Sequence, residues 1–223
     1  MHRRRRDSAG AAADQPLGRS ICRVPNSTPG SPLLSLPRYF ATVPAATPYL
    51  GIDPLRTAAL RRRYEAAGRA GLRKIGVVFQ ANPESGSATD RSLPIGDLAP
   101  LLRTPGVDFV NLQGGAAGRR PAAEHAGIID AIAEEVPLDE FAAAVAATDL
   151  LVTVDTMAAH CAGALGHPVW LIIRFSPHWC WGIGRDHTPW CPTARLFRQA
   201  VRRDWSAPSR SSRTSSTDLS IKY

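Results

Sequence analysis

Residues Asp149-Leu150-Leu151-Val152-Thr153-Val154-Asp155-Thr156-Met157-Ala158-Ala159-His160-Cys161-Ala162-Gly163-Ala164-Leu165-Gly166-His167-Pro168-Val169-Trp170-Leu171-Ile172-Ile173 read as strand, tight turn, helix, strand. Leu150 to Val154 is a short apolar run of the kind a buried parallel strand shows, and Pro168 opens a second run ending at Ile173. Small residues fill the helix between them. Thr156 stands at the N-cap position, the alanines favour helix, and Gly166 with Pro168 stops it. A helix that starts at the carboxyl end of a parallel strand points its first N–H groups and its positive dipole end into the crevice where such sheets bind ligands. That geometry suits a phosphate.

Asp155, Thr156 and His160 decorate this turn. Thr156 and His160 are four residues apart and share a helical face, so both can donate to a group at the helix N-terminus. Asp155 can orient the turn by accepting backbone N–H bonds, or accept from a ligand hydroxyl. The plainer reading stands beside this one: two capping residues and a hydrogen-bonded core histidine.

Upstream the pattern alternates between helix and strand. Pro54–Arg69 reads as a helix with Pro in its first turn, Lys74–Phe79 as a strand and Ile95–Arg103 as a helix. Val107–Leu112 follows as a strand, Ile128–Ile132 as a short strand and Leu138–Thr148 as an Ala-rich helix. Arg195 and Arg198 alternate with Leu196 and Phe197, which predicts a short final strand with its arginines on the exposed edge. The expected fold class is α/β, a Rossmann-like parallel sheet with helices on both faces.

The run Asp155-Thr156 … His160 … Ala162-Gly163-Ala164-Leu165-Gly166 … Pro168-Val169-Trp170 resembles the donor-site segment of bacterial GT-B glycosyltransferases related to the heptosyltransferases, of the type found at the C-terminal end of tetratricopeptide-repeat proteins. Other segments fall in that family's order. They include Pro48-Tyr49-Leu50, Lys74 to Pro83, Asp90-Arg91-Ser92-Leu93-Pro94, Phe109 to Gln113, Pro177 to Trp181, Gly184 to Pro192 and Arg195 to Gln199. The resemblance runs from Tyr39 to Trp205 and implies one half of a GT-B enzyme, the half that binds a nucleoside-diphosphate sugar. It implies that the amides and hydroxyl at Asp155, Thr156 and Met157 hold the diphosphate, with His160 at the phosphate or sugar. It also brings Arg91, from the loop after the first strand, to the phosphates, where a guanidinium fork binds oxygens in pairs. Asn82 lies in the same loop, where an ordinary turn residue is the other reading. No cofactor and no metal is expected. The partners implied are the nucleotide sugar and a separate acceptor-binding domain.

The chain of 223 residues carries a net charge of +8, which invites a nucleic-acid reading. The charge sits at the ends: residues 1–40 contribute +5 and residues 202–223 contribute +3, leaving the middle neutral. A solvated arm explains Arg3 to Arg6, and no specific nucleic-acid partner is expected. Residues 1–40 and 206–223 read as disordered tails around a folded part at 41–205. No apolar run reaches a membrane-spanning length and no secretory leader is visible, so a bacterial cytoplasmic protein is expected.

Gly114-Gly115-Ala116-Ala117-Gly118 follows a predicted strand but departs from the dinucleotide fingerprint, which makes an NAD-dependent oxidoreductase a remote choice. The cysteines show no close pairs, and a zinc set of His178, Cys180, His187 and Cys191 lacks the usual spacing. In the family pattern Cys180 and Cys191 are commonly Arg and Tyr. Trp179, Trp181 and Trp190 read either as loop packing or as a platform for a sugar or base. Two function classes follow: a glycosyltransferase donor domain or fragment, and a non-catalytic nucleotide-binding or interaction module derived from one.

Overall fold

Six parallel strands, β1 (Arg73–Val78), β2 (Val107–Asn111), β3 (Ile128–Asp130), β4 (Leu150–Val154), β5 (Val169–Ile173) and β6 (Ala194–Arg198), form one sheet in the order β3-β2-β1-β4-β5-β6. The computed structural model describes residues 48–115, 128–132 and 136–206, all within one compact unit, Pro44–Tyr223. Among the described residues, five α-helices accompany the strands: α1 (Pro54–Ala67), which precedes β1, α2 (Ala88–Arg91), α3 (Ile95–Leu102), α4 (Leu138–Ala146) and α5 (Met157–Ala164). The expected elements are therefore present, with ends shifted by a residue or two. β5 begins one residue later than its apolar run because Pro168 has no N–H for the ladder, although its carbonyl still accepts from Leu151 N at 3.0 Å. Residues 1–40 and 207–223 of the expected tails lie outside the described residues, as does the Gly-rich connection beyond Gly115.

Alternation along the strands divides the core into two layers. Ile75 and Val77 of β1, Leu150, Val152 and Val154 of β4, and Trp170 and Ile172 of β5 face one side, packed with Leu98 and Leu101 of α3 and with Trp205. Val78, Leu151, Val169, Leu171 and Ile173 face the other, under Tyr64 of α1, Phe141 and Val145 of α4 and the alanines of α5. Period-two side-chain direction in strands covered on both faces explains why the runs read as continuously apolar. The structure thus confirms an α/β, Rossmann-like sheet with helices on both faces. Among the described residues, no helix is long and apolar enough to cross a membrane.

Helix ends follow from local chemistry. Asp53 caps α1 by accepting from Leu55 N at 2.9 Å, and Pro54 occupies the first turn, where a missing N–H costs nothing. α5 stops at Gly166, whose φ of 66° suits a residue without a Cβ. Gly163 inside α5 has a different reason: a Cβ there would lie 2.7 Å from Cys191 Sγ, so the helix can press onto the β5–β6 connection only without a side chain.

The amino edge of the sheet is a closed polar network. Lys74 and Asp108 face each other in the β1–β2 register and are both buried. Lys74 Nζ donates to Asp108 Oδ2 at 2.9 Å and to the carbonyls of Arg69 and Leu72. Asp149, at the entry to β4, accepts from Lys74 N and from Arg61 Nη1.

Candidate functional site

Strand order reverses direction between β1 and β4, since the chain proceeds from β1 outward to β3 and then returns to β4. The crevice outside the carboxyl ends at such a switch point is where open α/β sheets bind ligands. Val78 and Thr153 are register partners there, so the loop leaving β1 and the turn leaving β4 lie side by side.

The loop after β1 is held from three directions. Gln113, beyond β2, accepts from Phe79 N and Gln80 N through Oε1 at 3.2 and 2.9 Å. Ser92 Oγ accepts from Ala81 N at 3.1 Å, and Leu93 N donates to Phe79 O at 2.8 Å. This clamp fixes α2 and aims Arg91 across the switch point. Arg91 Nη1 donates to the carbonyl of Asp155 at 3.0 Å, and Nη2 to Ser85 Oγ at 2.6 Å. Two residues 64 apart in sequence therefore meet at the mouth of α5.

At that mouth, Thr156 occupies the N-cap position with extended backbone, but its side chain makes no capping bond. Its hydroxyl turns back toward the strand end, 3.4 Å from Val154 O and 3.5 Å from Thr153 Oγ1. The capping role expected for the Thr156 side chain is thus corrected: β4 retains the hydroxyl, and the helix is left with its positive end uncapped by that group. Asp155 is buried, and the turn uses its carbonyl, which takes the Arg91 bond, rather than the carboxylate expected to accept backbone N–H groups. Met157 at the first helical position is exposed.

His160 lies one turn further along α5. Its ring stacks on Trp181 at 5.1 Å between centroids and 29° between planes. Partial desolvation there holds the imidazole below its ordinary pKa, the Asp155 charge pulling the other way and His178 adding to the depression. Asn82 behaves as the turn residue of its second reading. Its Oδ1 accepts from Glu84 N at 2.9 Å and its carbonyl from Ser85 N, both within its own loop.

The three tryptophans divide. Trp181 is buried, whereas Trp179 and Trp190 are partly exposed and meet edge to face at 5.4 Å. The residues considered as a zinc set do not converge: Cys191 is buried against Gly163, while His178 Nδ1 contacts Cys180 Sγ at 3.1 Å. Among the described residues no three His, Cys, Asp or Glu side chains group as metal ligands. Burial pushes the Cys180 thiol up to about 11. Arg198 is more than an exposed edge residue, because its Nη2 donates to the carbonyls of Trp181 and Gly182 and shapes this loop.

Arg174 and Gln199 were not singled out by sequence reasoning. Each directly follows a strand, β5 and β6, and so stands at the carboxyl edge of the sheet; that position was the available signal. Five buried side-chain polar atoms lack a hydrogen-bond partner among the described residues: Tyr64 Oη, Arg91 Nε, Arg174 Nε, Trp181 Nε1 and Gln199 Nε2. Four of these five lie on segments that follow the carboxyl ends of β1, β5 and β6, and all four are donors. Buried donors without acceptors are uncommon in folded proteins, and among the described residues most of them fall at this one edge.

No protein-family model matches the chain. Protein FlbA of Caulobacter vibrioides is 30% identical over 160 residues, which is 69% of this chain and 26% of FlbA. The chain therefore spans about a quarter of that relative's length. Among solved structures, the ADP-heptose lps heptosyltransferase II of E. coli superposes with a TM-score of 0.53 at 19% identity, over 77% of this chain and 54% of that one. A glycosyl transferase family 9 structure from Veillonella parvula gives a TM-score of 0.54 at 15% identity, over 77% and 52%. The chain spans about half the length of each and has a glycosyltransferase-like fold.

Proposed function

We propose that the chain is the donor-binding half of a GT-B glycosyltransferase, taking a nucleoside-diphosphate sugar with its diphosphate at the mouth of α5. The observation that carries this reading is the switch-point arrangement. A helix N-terminus free of a side-chain cap stands beside a guanidinium that spans from the β1 loop to the Asp155 carbonyl. Thr156, Met157 and Asp155 contribute the turn, Arg91 the neighbouring positive charge, and His160 a further donor on the same helical face. Asn82 has the weakest support, since its polar atoms are engaged within its own turn.

In such a site the reaction is assisted electrostatically. As the glycosyl bond breaks, charge builds on the leaving diphosphate, and preorganised amides and a guanidinium stabilise it without a metal. The E. coli structural neighbour is named for ADP-heptose, which makes ADP-sugars the first probes, with UDP-sugars alongside. The sequence likeness to tetratricopeptide-repeat transferases supports an acceptor-binding domain, with helical repeats, as the other component of the active enzyme.

Equilibrium titration of the full chain with ADP- and UDP-sugars tests the reading. Thr156→Ala and His160→Ala should each weaken binding, and Arg91→Gln, which removes charge-assisted hydrogen bonds, by about tenfold or more. An intact fold with no measurable binding of either nucleotide sugar overturns donor recognition. Binding without turnover, persisting after an acceptor-binding domain is supplied, favours the non-catalytic module.

A further inference from the structure

We infer that the carboxyl ends of β5 and β6 form a second binding site, for one small anionic group: a carboxylate or a phosphate monoester. A pocket of about 430 Å³ opens there, bordered by Arg174 and Ser176 after β5, Gln199 after β6, and the Arg202–Arg203 turn. Nothing in the diphosphate reading uses it, and the inference does not rest on that reading.

Gln199 is the determining residue. It is 2% exposed, and its Oε1 accepts from two backbone donors, Phe175 N at 3.0 Å and Arg203 N at 3.3 Å. Those two bonds settle which end of the amide is oxygen, because a flipped amide would set its NH₂ against two N–H groups. Nε2 is therefore a donor beside the pocket, buried and without an acceptor among the described residues. Arg174 Nε, on the neighbouring strand's exit, is in the same state. What the site lacks is an acceptor.

Charge narrows the ligand class. Three guanidiniums, Arg174, Arg202 and Arg203, border the pocket against one carboxylate, Asp90. Arg202 and Arg203 are already engaged with Asp90, at 3.3 and 3.2 Å, which leaves Arg174 as the cation for an entering group. A neutral ligand could satisfy Gln199 but would leave the Arg174 charge unused. An anion with at least two oxygens satisfies the amide and the guanidinium together. Ser176, exposed at the mouth, supplies a hydroxyl donor.

Asp90 and Arg91 are neighbours on α2, one turned to this pocket and the other to Asp155, so the two sites lie on either side of one short helix. They can be read separately. The full chain, labelled with ¹⁵N, is titrated with inorganic phosphate and with acetate while the Gln199 side-chain amide and the Arg174 Nε–H resonances are followed. The expected result is a saturable shift of both signals. A response to phosphate alone assigns a phosphate monoester, and a response to acetate alone a carboxylate. Arg174→Gln should raise the apparent dissociation constant about tenfold, with Arg174→Lys in between. Arg91→Gln should leave it unchanged. Absence of a saturable shift with either probe overturns the inference, as does an Arg174→Gln variant that titrates like wild type. Loss of nucleotide-sugar binding with the Gln199 response intact would sink the diphosphate reading alone.

Discussion

Replacing Asp108 by Asn exchanges one oxygen for an amide group and removes the only full negative charge that Lys74 Nζ contacts among the described residues. Lys74 is completely buried, and its other two partners are the carbonyls of Arg69 and Leu72, each at 3.0 Å. Asp108 also accepts from Arg69 N at 2.7 Å and Arg69 Nε at 2.8 Å. The Arg69 side chain is 65% exposed, so solvent screens that arm and its loss costs little. The dominant cost is a buried ammonium without its counter-charge, about 3–5 kcal/mol. For a chain of this size that is a fall in Tm of roughly 6–20 °C, a large part of a typical folding stability. Thermal unfolding by circular dichroism at pH 7 measures it. The paired replacement Lys74→Met with Asp108→Leu should recover most of the loss, because no charge is then left buried. A single variant that loses less than about 2 °C, or a double variant as unstable as the single one, refutes this account. The pH dependence carries a matching sign. Burial alone would raise the Asp108 carboxyl, but hydrogen bonds from Lys74 and Arg69 outweigh it and hold the group below the usual carboxylate range. The pair therefore contributes stability above about pH 4, and this is lost as pH falls through the lower folded value. Asp108→Asn should flatten that acid limb.

Three further outcomes are expected. Burial pushes the His167 imidazole down to about 4, against the pull of Asp149, so its stabilising contribution is whole above about pH 6.5 and lost as pH falls toward 4. His167→Gln should remove that part of the pH–Tm curve, and a wild-type curve flat across the window contradicts the assignment. Desolvation holds His160 below its ordinary value; an adjacent diphosphate favours its protonation, so ADP affinity should rise as pH is lowered from neutrality and do so less in His160→Gln. Gly163→Ala should destabilise by about 1–3 kcal/mol through overpacking against Cys191 Sγ, with Cys191→Ala restoring much of it; an additive double mutant would show that the two sites do not touch.

What could be read from the chain before its structure, and what could not, divides by the range of the interaction. β4, α5 and β5 follow from apolar runs, small helix formers and a Gly166–Pro168 stop, all local signals, and their ends came within one residue. Asp155, Thr156 and Met157 were placed at the helix mouth for the same reason. Arg91 is different. Its reach to Asp155 depends on β1 and β4 being neighbours, and a sequence separation of 64 carries no local trace of that adjacency. The Thr156 hydroxyl was misjudged because its direction depends on competition between helix amides and the Val154 carbonyl, which composition does not encode. Lys74 reads as an ordinary charged strand entry, yet a register that sets it opposite Asp108 buries it. Arg174 and Gln199 read as polar punctuation after apolar runs, and an unpaired donor is a property of the assembled fold alone.

The two edges of the sheet treat polar groups in opposite ways, and the contrast points to where ligand binding lies. At the amino edge Lys74, Asp108, Asp149 and Arg61 are tied to one another and to neighbouring groups, and none of the four has a buried side-chain polar atom without a partner among the described residues. At the carboxyl edge Arg91, Arg174, Trp181 and Gln199 each retain a buried donor without a partner among the described residues. Random imperfection in packing would strand acceptors as readily as donors, so an all-donor set at this edge favours oxygen acceptors as its complement. Arg91 belongs to the proposed diphosphate site at the mouth of α5, whereas Arg174 and Gln199 belong to the separate proposed anion pocket beyond β5 and β6.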